Sequence, residues 1–168
     1  MECRILIIRK PERADIPALL DIYNYEVENG IATLDITKRT LSQWEQWYDE
    51  HNKGNHPLIV CVDKGEIAGY ASLSAYRLKE AYSSTVELSV YASPRHRNKG
   101  VGTALMAEIL RLAREDDSIH TVVSVITSGN EASCRLHEKF GFTFCGTIKE
   151  VGFKFGEYVD IDNYSLIV

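Results

Sequence analysis

The stretch from residue 85 to residue 115 limits the possible folds of this chain more than any other. Residues 85–92 form an apolar run rich in β-branched side chains, which predicts a strand. Pro94 ends that run, a basic loop follows over residues 95–99, and Gly100-Val101-Gly102 opens an amphipathic helical pattern. The start of a helix carries unpaired backbone N–H groups and partial positive charge, and glycines let an anion approach the backbone. The segment therefore predicts a pyrophosphate-bearing cofactor at this helix start.

The rest of the chain shows further helical and strand periodicity. The other predicted strands cover residues 4–9, 57–62, 67–73, 120–126, 142–155 and 158–167. The other predicted helices cover residues 15–29, 41–51 and 130–140. A helix connects strands 85–92 and 120–126, so these two should be parallel, whereas the other strands should pair antiparallel. We expect a single domain over residues 1–168, of the mixed α/β (α+β) class.

Composition argues against some classes of function. The formal net charge of −5 disfavours a general surface for nucleic acid or acidic membranes. The four cysteines have no metal-ligand spacing, so we expect no metal site, and we expect Cys3, Cys61 and Cys145 to be buried and inert. No signal peptide or membrane-length apolar run is visible, so we expect a cytoplasmic protein.

The order of these elements, with Arg97-x-x-Gly100-x-Gly102 at the helix start and Asn130 at the next one, resembles the GNAT family of N-acetyltransferases. The family signature, Arg/Gln-x-x-Gly-x-Gly/Ala, is matched in full. A closer likeness, to phosphinothricin and methionine sulfoximine or sulfone N-acetyltransferases, is carried by Ile22-Tyr-Asn24, Ala32-Thr-Leu-Asp35 and residues 85–91, 130–138 and 152–156. The resemblance implies a GNAT fold: a mostly antiparallel sheet, flanked by helices, whose parallel central strands splay apart.

The resemblance also implies where acetyl-CoA binds. The cofactor would lie where the strand carrying Val90 separates from its neighbour near Val125. The backbone of Val90, Tyr91 and Ala92 would pair with the pantetheine amides. The residues that would bind the pyrophosphate are Arg97, Asn98, Lys99, Gly100, Val101, Gly102 and Thr103. Asn130 would contact the cofactor from the next helix; a helix N-cap is the alternative, and the two roles are compatible.

Glu87 is the candidate general base. An amino acid's ammonium must lose a proton before its nitrogen can attack, and a carboxylate in an apolar strand is unfavourable unless it is used or paired. The alternative is an edge-exposed or salt-bridged glutamate. The resemblance assigns the base to the matching residue. A backbone N–H, that of Val90, would polarise the thioester carbonyl.

The acid for the leaving thiolate stays open among Ser133, His137 and tyrosines near the cleft. Asn130, Ser133 and His137 fall at i, i+3 and i+7, on one face of a helix. His137 matches the histidine of the branch's Arg-Leu-His-Glu motif, although a helical histidine is more often packed or hydrogen-bonded. Ser133 could instead contact coenzyme A.

The substrate residues are also implied by the resemblance. Arg77 matches the arginine that faces the substrate in sulfoximine-acetylating relatives, and a guanidinium suits a carboxylate. A surface arginine in a loop is the alternative. Tyr76, Lys154 and Tyr158 would line the pocket, or would be ordinary surface residues.

The expected function is acetyl transfer from acetyl-CoA to the α-amino group of a phosphinothricin, methionine sulfoximine or methionine sulfone analogue. Transfer would be direct, in a ternary complex, since Cys134 has no activating motif. The resemblance further implies a homodimer and antibiotic or herbicide resistance. The alternatives are a GNAT enzyme of another amine (a peptide N-terminus, a polyamine, an aminoglycoside) and a non-catalytic acyl-CoA sensor.

Overall fold

The computed structural model describes residues 5–168, in which one seven-stranded sheet has the order β1-β2-β3-β4-β5-β7-β6. The strands are β1 (Leu6–Arg9), β2 (Leu58–Asp63), β3 (Glu66–Ala75), β4 (Thr85–Ala92), β5 (Thr121–Thr127), β6 (Thr143–Lys154) and β7 (Glu157–Ile167). The helices are α1 (Ile16–Asn29), α2 (Leu41–Asp49), α3 (Val101–Glu115) and α4 (Glu131–Lys139). Within residues 5–168, no helix combines the length and the apolar character needed to cross a membrane.

The strand pairing confirms the predicted mixed α/β sheet. Strands β4 and β5 are parallel, and every other neighbouring pair is antiparallel. The β2–β3 turn is built on Lys64 and Gly65, whose φ angles are 50° and 84°. Two successive positive φ angles match the right-handed twist of a hairpin, and this turn therefore fixes the β2–β3 register.

The two faces of the sheet are covered by different helices. Helix α3 packs on one face through Val101, Leu105, Ile109 and Ala113, all of them buried as the sequence predicts. Helices α1 and α2 cover the other face. Because side chains alternate along a strand, β4 contributes Val86 and Leu88 to the α3 side, and Glu87, Ser89 and Tyr91 must face the α1/α2 side.

The cysteine prediction was wrong at one position. Cys61 is buried in β2, as expected, but Cys145 in β6 is exposed. Its sulfur lies 3.3 Å from the Thr143 carbonyl oxygen and 3.2 Å from the Ser165 hydroxyl. The apolar run around Cys145 belongs to β6, which is an edge strand of the sheet, and neither helical layer covers it there. Cys3 lies outside the described residues.

Candidate active site

A cleft of about 760 Å³ opens where the parallel strands separate. Pairing between β4 and β5 ends at Glu87 and Val123, although both strands continue beyond these residues. Past this point, among the strands that the structure describes, β4 pairs only with β3 on its other side, with Val90 opposite Ala71 and Tyr91 opposite Tyr70. The β5-facing backbone of β4 is therefore available to an extended ligand.

The start of α3 forms one end of this cleft. Gly100 is the N-cap with a φ of 81°, and Asn98 before it has a φ of 57°. With these left-handed conformations the loop leads into a helix start whose first residues, with their unpaired backbone N–H groups, line the cleft. Of the seven residues predicted to bind the pyrophosphate, six line the cleft: Arg97, Asn98, Gly100, Val101, Gly102 and Thr103. The exception is Lys99, whose ammonium lies 2.6 Å from the Arg95 carbonyl oxygen.

Arg97 has a partner that the sequence did not reveal. Its guanidinium donates to the carboxylate of Glu26, which is buried at the end of α1. The same guanidinium stacks over the Tyr25 ring at 5.6 Å. Arg97 is thereby fixed at the wall of the cleft, with part of its positive charge already balanced.

Glu87 lies at the wall of the cleft just where the two strands separate. It is half-buried, and within residues 5–168 its carboxylate has no hydrogen-bond or ion-pair partner. Burial raises the pKa of the Glu87 carboxyl above its ordinary value. A partly desolvated carboxylate without a partner is suited to accept a proton, and this excludes the salt-bridged alternative.

Helix α4 brings Asn130, Ser133 and His137 to the cleft, as predicted from their spacing. The Asn130 side chain accepts from the Ser133 backbone N–H at 3.3 Å and caps the helix. His137 is buried, and its Nδ1 is 2.7 Å from the Ser133 carbonyl oxygen. Nδ1 must therefore donate, and burial lowers the pKa of this imidazole, which favours its neutral form. In that tautomer Nε2 carries no proton, so the geometry opposes the predicted role of His137 as an acid.

Besides Glu87, four residues are predicted to contact the substrate, and none of them lines the cleft: Tyr76, Arg77, Lys154 and Tyr158. Arg77 is exposed, with its guanidinium 5.1 Å from the Tyr76 ring and 5.7 Å from the Tyr82 ring. Tyr158 is exposed and packs on Phe153. Their substrate roles stay predictions, since neither their position beside the sheet nor their exposure decides them.

Lys154 has a structural role that the sequence did not reveal, and its predicted substrate role stays a prediction. It is buried, and its ammonium donates to the carbonyl oxygens of Glu26 and Thr33 at 3.1 and 2.8 Å. Thr33 and the residues around it form one wall of the cleft. Lys154 therefore fixes this wall from β6, because its buried ammonium joins the carbonyl of Glu26, at the end of α1, to that of Thr33.

The fold and the cleft are those of an N-acetyltransferase. The Acetyltransferase (GNAT) family profile matches residues 19–142, and the chain belongs to this family. The chain is 38% identical over 155 residues to an L-methionine sulfoximine/L-methionine sulfone acetyltransferase of Pseudomonas paraeruginosa, covering 92% of this chain and 90% of that protein. The predicted family, fold and type of enzyme are thus confirmed.

Two solved structures extend the comparison. A ribosomal-protein-alanine N-acetyltransferase from Brucella melitensis is 40% identical with a TM-score of 0.93, over 96% of this chain and 99% of that chain. A GNAT phosphinothricin acetyltransferase from Sinorhizobium meliloti, in complex with acetyl-CoA, is 31% identical with a TM-score of 0.92, over 97% of this chain and 88% of that chain. Acetyl-CoA is therefore a ligand of a close structural neighbour.

Proposed function

We propose that this enzyme transfers the acetyl group of acetyl-CoA to the α-amino group of a small amino-acid analogue of the methionine sulfoximine, methionine sulfone or phosphinothricin type. One observation carries the proposal: the half-buried Glu87, without a partner among residues 5–168, lies where β4 and β5 separate, in a cleft that ends at the glycine-started helix α3. The similarity to the Pseudomonas enzyme supports the class of acceptor. We also treat residues 1–168 as one catalytic domain, in keeping with the single sheet.

Acetyl-CoA fits the chemistry of this cleft. The unpaired edge of β4 at Val90, Tyr91 and Ala92 suits the amides of an extended pantetheine, and the glycine-started helix suits a pyrophosphate. The open space around Gly100, where an added Cβ would have no neighbour within 4 Å, leaves room for phosphate oxygens. When bound, acetyl-CoA supplies an acetyl group activated as a thioester.

Three residues of the cleft have different roles in the proposed reaction. Glu87 accepts a proton from the acceptor's ammonium, directly or through a water molecule, and leaves a nucleophilic amine. The backbone N–H of Val90 donates to the oxygen that gains negative charge. Ser133 is the proposed donor to the departing sulfur, since this residue lines the cleft and His137 has no proton on Nε2.

Transfer should be direct, without an acetylated cysteine. Cys134 lies in α4 but not in the lining of the cleft. We therefore expect Cys134→Ser to keep turnover within about twofold of the unaltered enzyme, with Cys145→Ser as the control. Protein mass after mixing with acetyl-CoA alone is the measurement. A covalent acetyl-enzyme that disappears together with turnover in Cys134→Ser would contradict direct transfer.

Arg77 should bind the acceptor's carboxylate. Hydrogen bonds to charged groups contribute roughly 1.5–3 kcal/mol, so Arg77→Ala should raise KM for amino-acid acceptors about 10-fold or more and leave KM for acetyl-CoA unchanged. Arg114→Ala, at an exposed site near the end of α3, is the matched control. Equal, small changes in both KM values would show that Arg77 does not bind the acceptor's carboxylate.

A second acceptor class is favoured by one observation. The Brucella structure at 40% identity is named a ribosomal-protein-alanine N-acetyltransferase. A panel should therefore contain phosphinothricin, methionine sulfoximine, methionine sulfone, common amino acids, spermidine, an aminoglycoside and an alanine-started peptide, with coenzyme A thiol release as the readout. We expect turnover with the amino-acid analogues. Turnover with the peptide or the polyamine alone would keep the enzyme class and reject the acceptor; coenzyme A binding without any turnover would favour a sensor.

We further propose that the protein is a cytoplasmic homodimer without a nucleic-acid or membrane partner. It would confer antibiotic or herbicide resistance by acetylating its acceptors. The dimer is supported by large apolar side chains that β6, β7 and the turn between them leave exposed: Phe144, Ile148, Val151, Phe153, Phe155 and Tyr158. Sedimentation velocity should give the mass of two chains. A single-chain mass at micromolar concentration would reject this assembly.

A further inference from the structure

Glu26 places a buried carboxylate in the lining of the cleft that should bind a pyrophosphate. It lies near the end of α1, and it is 5% exposed. Glu26 and its partner Arg97 line the same cleft as Gly100 at the start of α3. A carboxylate at this place repels the anion that the helix start attracts. The proposed reaction makes no use of Glu26, so its presence there calls for another explanation.

Arg97 is held by Glu26 but keeps donors for a ligand. Its guanidinium donates to a carboxylate oxygen of Glu26 and lies over the Tyr25 ring. Within residues 5–168 the side chain makes no other hydrogen bond, although a guanidinium has five N–H donors. The side chain is also 48% exposed. Arg97 can therefore donate to an anion in the cleft, but Glu26 offsets part of its charge.

The Glu26 carboxylate is fixed in this position by its surroundings. A Cβ added at Gly30 would lie 1.8 Å from Glu26 Oε2, so the carboxylate fills the place of a side chain at residue 30. The carbonyl oxygen of Glu26 accepts from the buried Lys154 ammonium at 3.1 Å. This ammonium remains near Glu26 when Arg97 donates to a ligand. The carboxylate therefore keeps a neighbouring positive charge, which reduces the free-energy cost of sharing Arg97.

We propose that Glu26 competes with the pyrophosphate of acetyl-CoA and coenzyme A for Arg97 and thereby weakens the binding of both. Without a ligand, the carboxylate holds the guanidinium; a bound pyrophosphate shares it. Because affinity differences at one site are mostly differences in dissociation rate, Glu26 also speeds the release of the product coenzyme A. The inference rests on the proposed function, since it assumes acetyl-CoA in this cleft. It adds a residue that sets the affinity for the cofactor.

Glu26→Gln tests the charge alone. Glutamine keeps the length of the side chain, and its oxygen can still accept from Arg97, but the negative charge is removed. We expect the Kd of coenzyme A, measured by titration calorimetry, to decrease about 10-fold. A purely structural role of Glu26 would give weaker binding instead. Glu28→Gln is the matched control, because it removes the same charge from an exposed site of α1 that is paired with Lys38; its Kd should be unchanged.

Two probes locate the effect at the pyrophosphate. Inorganic pyrophosphate, measured as a competitive inhibitor against acetyl-CoA, should also bind about 10-fold more tightly to Glu26→Gln than to the unaltered enzyme. Pantetheine, which lacks the pyrophosphate, should inhibit both proteins equally. If pantetheine bound as much more tightly to Glu26→Gln as coenzyme A does, the proposed competition would be wrong.

An unchanged or larger Kd of coenzyme A in a folded Glu26→Gln protein would overturn the inference while the proposed function stands. If coenzyme A did not bind to the unaltered enzyme, the proposed function would fail instead, so the two failures are distinguishable. If Glu26→Gln does not fold, Arg97→Gln supplies the test. It should raise the Kd about 10-fold, and Arg95→Gln, at an exposed neighbouring site, should not. An unchanged Kd in Arg97→Gln would leave Glu26 nothing to compete for and would overturn the inference equally.

Discussion

Glu87→Gln should lower kcat about 10²–10⁴-fold near neutral pH, the range expected when a general base is removed. Glutamine keeps the shape of the side chain at the end of the β4–β5 pairing but cannot accept the ammonium proton. Initial rates of coenzyme A release with methionine sulfone measure the effect, and Glu45→Gln on the exposed side of α2 is the matched control. Retention of more than a tenth of the activity would exclude Glu87 as the base.

The pH dependence of the unaltered enzyme should report the same residue. Because burial raises the pKa of Glu87, kcat/KM should fall on the acid side at a pH above the ordinary pKa of a glutamate. Glu87→Gln should lose this acid limb. If the pH profiles of kcat/KM had the same shape in both proteins, the decrease on the acid side would not be due to Glu87.

Stability should change in the opposite direction to activity. A carboxyl with a raised folded-state pKa binds more protons in the native than in the unfolded protein, so the free energy of unfolding falls as pH rises from the unfolded pKa through the folded one. Glu87→Gln should therefore have a higher Tm than the unaltered protein at pH 7, and this advantage should vanish in acid. A lower Tm at pH 7 would mean that Glu87 stabilises the fold.

Leu105→Ala should reduce the free energy of unfolding by about 2–5 kcal/mol, the range for truncating a buried leucine. Leu105 is fully buried in α3, the helix that presents its N-terminus to the cleft. Leu78→Ala is the matched control, because the same atoms are removed from a side chain that is 98% exposed. Denaturant unfolding of both variants measures the difference.

The control variant should stay within about 0.5 kcal/mol of the unaltered protein. Similar losses in Leu105→Ala and Leu78→Ala would contradict the assigned core. Weaker acetyl-CoA binding in Leu105→Ala, with the acceptor KM unchanged, would further indicate that the packing of α3 supports the helix start.

Features that depend on neighbouring residues could be predicted from the sequence. The β4 strand, the glycine-started α3 and the Asn130 cap of α4 each follow from a local pattern of apolar, glycine or capping residues. The spacing within α4 also placed Ser133 and His137 on the face that meets the cleft. These predictions succeeded because the helical and strand periods determine which side chains share a face.

Contacts between distant segments could not be predicted in this way. The Arg97–Glu26 pair joins residues 71 positions apart, and the Lys154 ammonium reaches Glu26 across 128 positions. No periodic pattern indicates such contacts, so the sequence could not show that Lys154 lies beneath the wall of the cleft. Ser89 could have been found, since it alternates with Glu87 along β4 and must face the same side.

The most direct test of the account is the identity and yield of the product from acetyl-CoA and methionine sulfone. Mass spectrometry and NMR of the product, together with a thiol assay, compare acetylated amine with released coenzyme A. We predict one N-acetyl group on the α-nitrogen for each coenzyme A, and no such product from Glu87→Gln on the same timescale. Coenzyme A release without an acetylated amine, or acetylation at another atom, would contradict the account.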